Sequence, residues 1–425
     1  MFATLQQQRS LRLRAGTEPT LVMNSSVSSC LSLALALCCS ISCTPELPPE
    51  PAVVEDPSGS SLAPQASGPD YLIPEDLPAL EQSALGTGIV DELEALTEFE
   101  GVEVQARDMD YPSGRLRYRK HVRLTPRGAE LDHGPDWRWW ENGQIKLRRV
   151  WREAKAEGDY LDWHKSGFQK SVGILSADRP VGVWKRWYGT GEPKAWEEFA
   201  DGVRDGLEVR WHKTGAHMHQ KSWSAGVENG LIRQWGIKGA LLVDGVMVNG
   251  QRDGLWREWW PEGGLQRSSS FKLGKPNGLW TEFYAAGGGR VRGSYLDGFR
   301  DGRWEAWLEN GQRIAVEHFV ADLLDGERSI WGETGVLLSR GSYVAGVGVG
   351  VHEEWSATGA LIMRRVHDDP PGADHVERWW ANDEPRSKGL FVDGKRDGRW
   401  MAWSVDGLID LDVSGLWRLG ERVAD

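Results

Sequence analysis

Thiols, imidazoles and carboxylates carry most protein chemistry, and in this chain each has a restricted place. All four cysteines, Cys30, Cys38, Cys39 and Cys43, lie near the N-terminus. The chain beyond Cys43 therefore has no disulfide, thiolate nucleophile or cysteine-ligated metal. His212, His217 and His219 are close in sequence. If His212 and His217 face each other across a hairpin, the three imidazoles share a face at about 5 Å spacing. They are then candidate ligands for Zn²⁺ or Cu²⁺ with an open position. The alternative is plain surface variation. The carboxylates fall mainly in turns and read as solvated side chains. There is no Gly-x-Ser-x-Gly elbow, P-loop, His-Glu-x-x-His or dinucleotide fingerprint. The Asp-Gly pairs lack the spacing of calcium solenoids or of an EF-hand. The expectation is a non-enzymatic chain with no cofactor.

Charge is unevenly placed. The 425 residues carry 50 Lys and Arg against 62 Asp and Glu, a net of −12. Residues 44–110 alone carry −15 and residues 1–43 carry +2, which leaves +1 for 111–425. A near-neutral body argues against nucleic acid as partner. At the N-terminus, Arg9, Arg12 and Arg14 precede an uncharged apolar run over 27–42. It is too short to span a bilayer and suits an export signal. Ser42-Cys43 at its end resembles a bacterial lipobox, which makes Cys43 the candidate lipidation site; ordinary signal cleavage is the other reading. Met1 and Met23 are both candidate starts. The segments expected are a signal peptide with lipobox over 1–43, a disordered Pro-rich acidic linker over 44–87, and a short helix with a degenerate repeat over 88–133. A repeat array over 134–425 follows, ending in a C-terminal cap. The helix is expected over 88–100, where Ile89, Leu93, Leu96 and Phe99 share a face.

Composition then points to what fills the body. Gly numbers 52 and Trp 24, more Trp than Phe and Tyr together. Trp139, Trp163, Trp187, Trp211, Trp235, Trp259, Phe283, Trp307, Trp331, Trp355, Trp379 and Trp403 fall on one 24-residue grid without an insertion. Four residues after each, Gly recurs in eleven of twelve units, with Asp383 the exception. Five residues before each, Gly again recurs in eleven, with Asp374 the exception. So strict a period is structural. Asn142-Gly143, Asn310-Gly311 and Asp406-Gly407 predict a two-residue type I′ hairpin after the grid aromatic. That register sets Trp139 opposite Lys146 and His212 opposite His217, with cations stacked on the grid rings. A second turn, as in Asp297-Gly298, joins successive units. Alternation puts the grid aromatics on one face. Trp184, Trp256, Trp280, Trp304 and Trp400, three residues before the grid, fall on the other with the aromatics that precede the linking turn. The grid aromatics are expected to be structural.

The pattern Gly-x-Trp-x-x-Trp-x-x-x-Gly, then an aromatic and Asp-Gly, resembles the bacterial variant of the MORN repeat family. Trp304-Glu-Ala-Trp307-Leu-Glu-Asn310-Gly311 is its clearest copy, and the resemblance covers 134–410. Tyr111-Pro-Ser-Gly114 looks like a worn copy displaced by an insertion. The resemblance implies an all-β fold of tandem 24-residue β-hairpin repeats, forming an elongated twisted antiparallel sheet behind the disordered tether. It also implies protein–protein contact, membrane-linked scaffolding and, in the bacterial variant, antitoxin-like neutralisation. The function expected is a repeat scaffold facing the periplasm or outer membrane, or else secreted. Its expected partners are an unidentified protein and, through the lipid anchor, a membrane. A cell-wall or glycan-binding module is the rival, since choline-binding repeats also pair short hairpins with aromatics. Solvent-open aromatic pairs favour that rival; aromatics covered by neighbours favour the scaffold.

Overall fold

The computed structural model describes residues 96–368 and 372–423. The expected export signal, Cys43 and the expected linker lie outside the described residues. The described chain is all-β. Two short strands, Glu98–Phe99 and Val102–Glu103, form a hairpin of their own. From Gln105–Asp110 to Glu421–Val423 the remaining strands make one elongated antiparallel sheet, each paired with its neighbours in sequence. The sheet is open. Among the described residues Gln105–Asp110 pairs only with Leu116–Leu124, and Glu421–Val423 only with Gly415–Arg418.

The helix expected over 88–100 is corrected at its described end. Glu98 and Phe99 are extended, and Gly101 at φ 80° turns the chain back so that Glu98 faces Glu103. Phe99 stacks edge-on to buried His133, 5.7 Å between centroids, and the Glu100 carboxylate pairs with Arg152 at 2.5 Å. A hairpin therefore docks at the start of the array, where a helix was expected.

The turns account for the glycine columns, but the two turn types exchange places. The tight two-residue turn with φ > 0 at both positions lies between units: Asp297 and Gly298 have φ of 51° and 98°, and Leu296 faces Phe299. After the grid aromatic the loop has three residues. The Gly311 N–H donates to Leu308 O, and Gly311 alone is left-handed, at φ 83°. This is a type I turn closed by a left-handed glycine and a bulge. The register correction follows: Trp139 pairs with Ile145, and Trp211 with His217. Asn-Gly suits both turn types, so the dipeptide alone does not choose between them.

The other glycine column makes a second bulge. Gly302, at φ 83°, begins a stretch of three residues, 302–304, that faces Gly293 alone on the preceding strand. Where Asp374 replaces this glycine, the ladder from Met363↔Arg378 to Asp368↔Ala373 runs without a register shift. The bulge thus goes with the glycine and with a two-residue linking turn, since here four residues, 369–372, separate the paired ends Asp368 and Ala373. The worn copy also holds: Tyr111 N donates to Arg115 O and Gly114 N to Tyr111 O, the same loop geometry.

Candidate functional site

On one face, the Gly302-type bulge swings the Trp three residues before the grid over the preceding strand. Trp304 lies flat on Gly293, where an added Cβ would meet the indole at 2.2 Å. Trp184 covers Gly173, Trp256 covers Gly245 and Trp400 covers Gly389 at 2.2–2.4 Å in the same way. Each indole N–H then donates to the carbonyl one residue past the covered glycine: Ile174, Val246, Ser294 and Leu390. Trp280 faces fully buried Ser269 instead. The aromatics before the linking turns complete the row. Trp256, Phe271, Trp280, Tyr295 and Trp304 follow one another edge to face, with centroids 5.0–6.4 Å apart. Edge-to-face contacts of this kind add about 0.5–1.5 kcal/mol each beyond area burial.

The same face changes character toward the N-terminus, where charge replaces rings. Asp136, buried, takes Arg138, Arg149 and the Trp151 indole. Burial pushes the Asp136 carboxyl up, but those three donors outweigh it and hold the carboxyl below its ordinary range. Glu197, buried, is ringed by Arg186 at 3.2 Å and by Arg204 and Arg210 at 3.0 Å. Glu208 meets Arg210 at 2.7 Å, His219 at 3.3 Å and the Trp223 indole at 2.8 Å. Burial raises its pKa, yet His219 and the charges of Arg210 and Arg204 bring it down to about 2. These acids are neutralised by neighbours and serve as packing groups. Removing one partner of such a buried set costs about 3–5 kcal/mol.

On the opposite face stand the grid aromatics. Trp163, Trp187 and Trp211 are buried; Trp139, Trp235, Trp259, Phe283, Trp307, Trp331, Trp355, Trp379 and Trp403 are partly buried. None of the 24 Trp residues is exposed. In half of the twelve units the residue after the grid aromatic ties one unit to the next. Tyr111, Tyr188 and Tyr284 hydroxyls donate to Trp139, Trp211 and Trp307 carbonyls at 2.8–2.9 Å. Trp140 and Trp380 indoles do the same to Trp163 and Trp403 at 3.2 Å. His164 and His212 reach Trp187 and Trp235 carbonyls at 3.1 and 3.3 Å, so each donates from Nε2.

That clasp disperses the three candidate metal ligands. His212 is held by the Trp235 carbonyl. His217 lies between Trp211 and Trp235, 5.8 and 5.4 Å between centroids, and burial lowers its pKa. His219 pairs with Glu208 on the other face. The three-residue loop is the physical reason, because it shifts His217 opposite Trp211. Among the described residues no three His, Cys, Asp or Glu side chains gather as a metal site. The expected cation stacking moves by one residue as well. Lys146 and Arg386 lie over Trp140 and Trp380, at 4.4 and 4.6 Å.

At the linking turns the sequence missed a surface. Leu296 faces Phe299, Val320 faces Leu323 and Val344 faces Val347, and all six are 52–65% exposed. Each pair flanks one of three successive turns. The signal was present as apolar residues where other units carry Lys272 and Lys275, or Arg152 and Lys155.

No family model matches the chain, and no curated protein matches it. It is similar to the solved structure of TcdB2-TccC3 without its hypervariable C-terminal region, at 10% identity over 72% of this chain and 20% of that one, with a TM-score of 0.16. Against the crystal structure of TcdB2-TccC3 the identity is 10% over 75% and 19% of the two chains, with a TM-score of 0.15. The chain thus spans about a fifth of those chains, and at such scores the likeness says nothing of function.

Proposed function

We propose that this chain is a non-enzymatic repeat scaffold of the MORN-variant type, held at the bacterial envelope by a lipid on Cys43, that binds another protein. The apolar linking-turn edge carries this reading. Six half-exposed aliphatic and aromatic side chains lie on three successive turns, about two strand spacings or ~9.6 Å apart. Contiguous apolar surface of this kind marks interaction sites. The glycan rival needs open aromatic faces, and every Trp is at least partly covered by its neighbours. Antitoxin-like neutralisation is the same scaffold with a toxin as partner.

The test places a photo-crosslinking residue at Leu323, and in a second variant at exposed Lys238, in the native host. The expected result is a membrane-fraction adduct with one protein from position 323 and none from 238. Fatty-acid probe labelling of the same cells should be present in the wild type and lost in Cys43→Ser. Equal adducts from both positions, or none from 323, would reject the protein-binding edge. Label retained in Cys43→Ser would reject the anchor.

A further inference from the structure

The grid-aromatic face holds one interruption that packing alone does not explain. In each hairpin the grid aromatic pairs with the residue six positions on: Trp235 with Leu241, Trp259 with Leu265, Trp211 with His217. His217 shows where such a side chain goes, since its ring fills the space between consecutive grid rings. At the seventh unit both partners are reduced. The grid holds its single Phe, Phe283, and the paired position holds its single glycine, Gly289. Gly289 has no side chain to place there, and a Cβ at this position would lie 3.8 Å from the Trp307 ring. The result is a hollow of about 410 Å³ lined by Leu279, Thr281, Phe283, Gly289, Arg292 and Trp307.

The hollow has room for a planar group. Grid rings two strands apart are separated by about 9.6 Å. A flat ring between them needs about 3.5–4.0 Å to each neighbour. The rim supplies a charge: Arg292 faces Thr281 and Glu305 across its two ladders. Glu305, however, pairs with Arg303 and Arg313. The Arg292 side chain makes no ion pair or hydrogen bond with any described residue. A guanidinium left unpaired beside an aromatic slot is complementary to a carboxylate next to a ring.

We infer that this slot receives an aromatic side chain of a protein partner, inserted between Phe283 and Trp307, with an adjacent acidic residue pairing with Arg292. The inference rests on the protein-binding reading above and names one point of contact for it. The insertion restores the ring–filler–ring order that the other hairpins build from their own residues.

The test uses the purified chain and dye-labelled peptides, read by fluorescence anisotropy. The probe is acetyl-Asp-Trp-Asp-amide, with acetyl-Asp-Ala-Asp-amide and acetyl-Ser-Trp-Ser-amide as controls. Gly289→Leu fills the slot with the residue found at Leu241 and Leu265, so its fold is already accommodated; unchanged melting confirms this. Arg292→Ser installs the residue that Ser268 provides in the same column. The expected result is binding of the Asp-Trp-Asp peptide at least tenfold tighter than either control. Gly289→Leu should weaken it at least tenfold, and Arg292→Ser should erase the preference over Ser-Trp-Ser. Equal affinity in Gly289→Leu would overturn the slot. So would stronger competition by a glucuronic-acid trisaccharide than by the peptide. The crosslink from position 323 is read independently, so a failed slot leaves the scaffold reading standing and a failed scaffold is seen without the peptide.

Discussion

His217 illustrates what the repeat does with a reactive side chain. Placed between two tryptophan rings, it is a filler, and burial lowers its pKa below the ordinary 6.5. The fold therefore prefers the neutral ring. A histidine with a depressed folded pKa leaves stability intact above its unfolded value, near 6.5, and costs stability as pH falls below that. Wild type should lose more melting temperature between pH 7.5 and pH 5 than His217→Leu, whose side chain cannot charge. Paired thermal melts across that range check this; identical pH slopes would show that the ring is not desolvated. The same scale shows what the sequence held but did not announce. Each Trp three residues before the grid has Gly, or once Ser, eleven residues earlier, at 173, 245, 269, 293 and 389. That correlation was readable, but its meaning depended on a bulge bringing the indole over the preceding strand. The clusters at Glu197 and Glu208 were less legible, because Arg186 comes from one strand, Arg179–Trp187, and Arg204 and Arg210 from another, Val203–Trp211.

At the scale of the element, turn geometry decides which residues meet. The strict period, the hairpin per unit and the separation of the two Trp columns by face were all legible. The partner of the grid aromatic was not, because Asn-Gly serves a two-residue turn with two left-handed positions and a three-residue turn with one. The outcome moved the grid aromatic's own partner by one residue, left the rest of the ladder in the expected register, as in Arg138↔Leu147 and Arg210↔His219, and dissolved the expected metal cluster. The bulge glycine was visible as a column, and the one unit that lacks it, at Asp374, also lacks the bulge. Gly302→Val should therefore do more than strain φ at a cost of about 1–2 kcal/mol. It should disfavour the three-against-one bulge and unseat Trp304 from Gly293. The expected signature is faster hydrogen exchange at the Trp304 indole, with the Trp184 indole unchanged. Equal protection in both variants would show that the bulge does not depend on the glycine.

For the whole array, nearly every strand touches only its sequence neighbours, so stability is a sum of units and the interfaces between them. Removing residues 236–259, one full period, should leave the protein folded: Trp235 is then followed by Trp260, which holds the same place after its grid aromatic as the deleted Gly236. Removing 236–247, half a period, joins a strand to the wrong turn. The first deletion should melt cooperatively within a few degrees of wild type by circular dichroism; the second should lose much of its strand signal. Comparable losses in both would mean that the units are not interchangeable. The elongated all-β sheet was legible from the grid alone. The exposed apolar pairs at the linking turns were not, because they lie at positions where other units carry Lys272 and Lys275 or Arg152 and Lys155.

The ties between units have a mechanical consequence. Strands lie across the array, so a load drawing its two ends apart acts along the inter-strand hydrogen bonds and opens them in sequence, like a zip. Backbone bonds alone would yield at every gap alike. The Tyr188, Tyr284 and Tyr111 hydroxyls, with their indole and imidazole counterparts, add a bond that bridges from one hairpin tip to the next. Units with Gly236 or Gly332 after the grid aromatic have no side chain there to make it. Trp260, Leu308 and Ser356 make no such bond either, so under tension the sheet should part first at these unclasped joints, releasing slack in steps of one hairpin while the clasped runs stay shut.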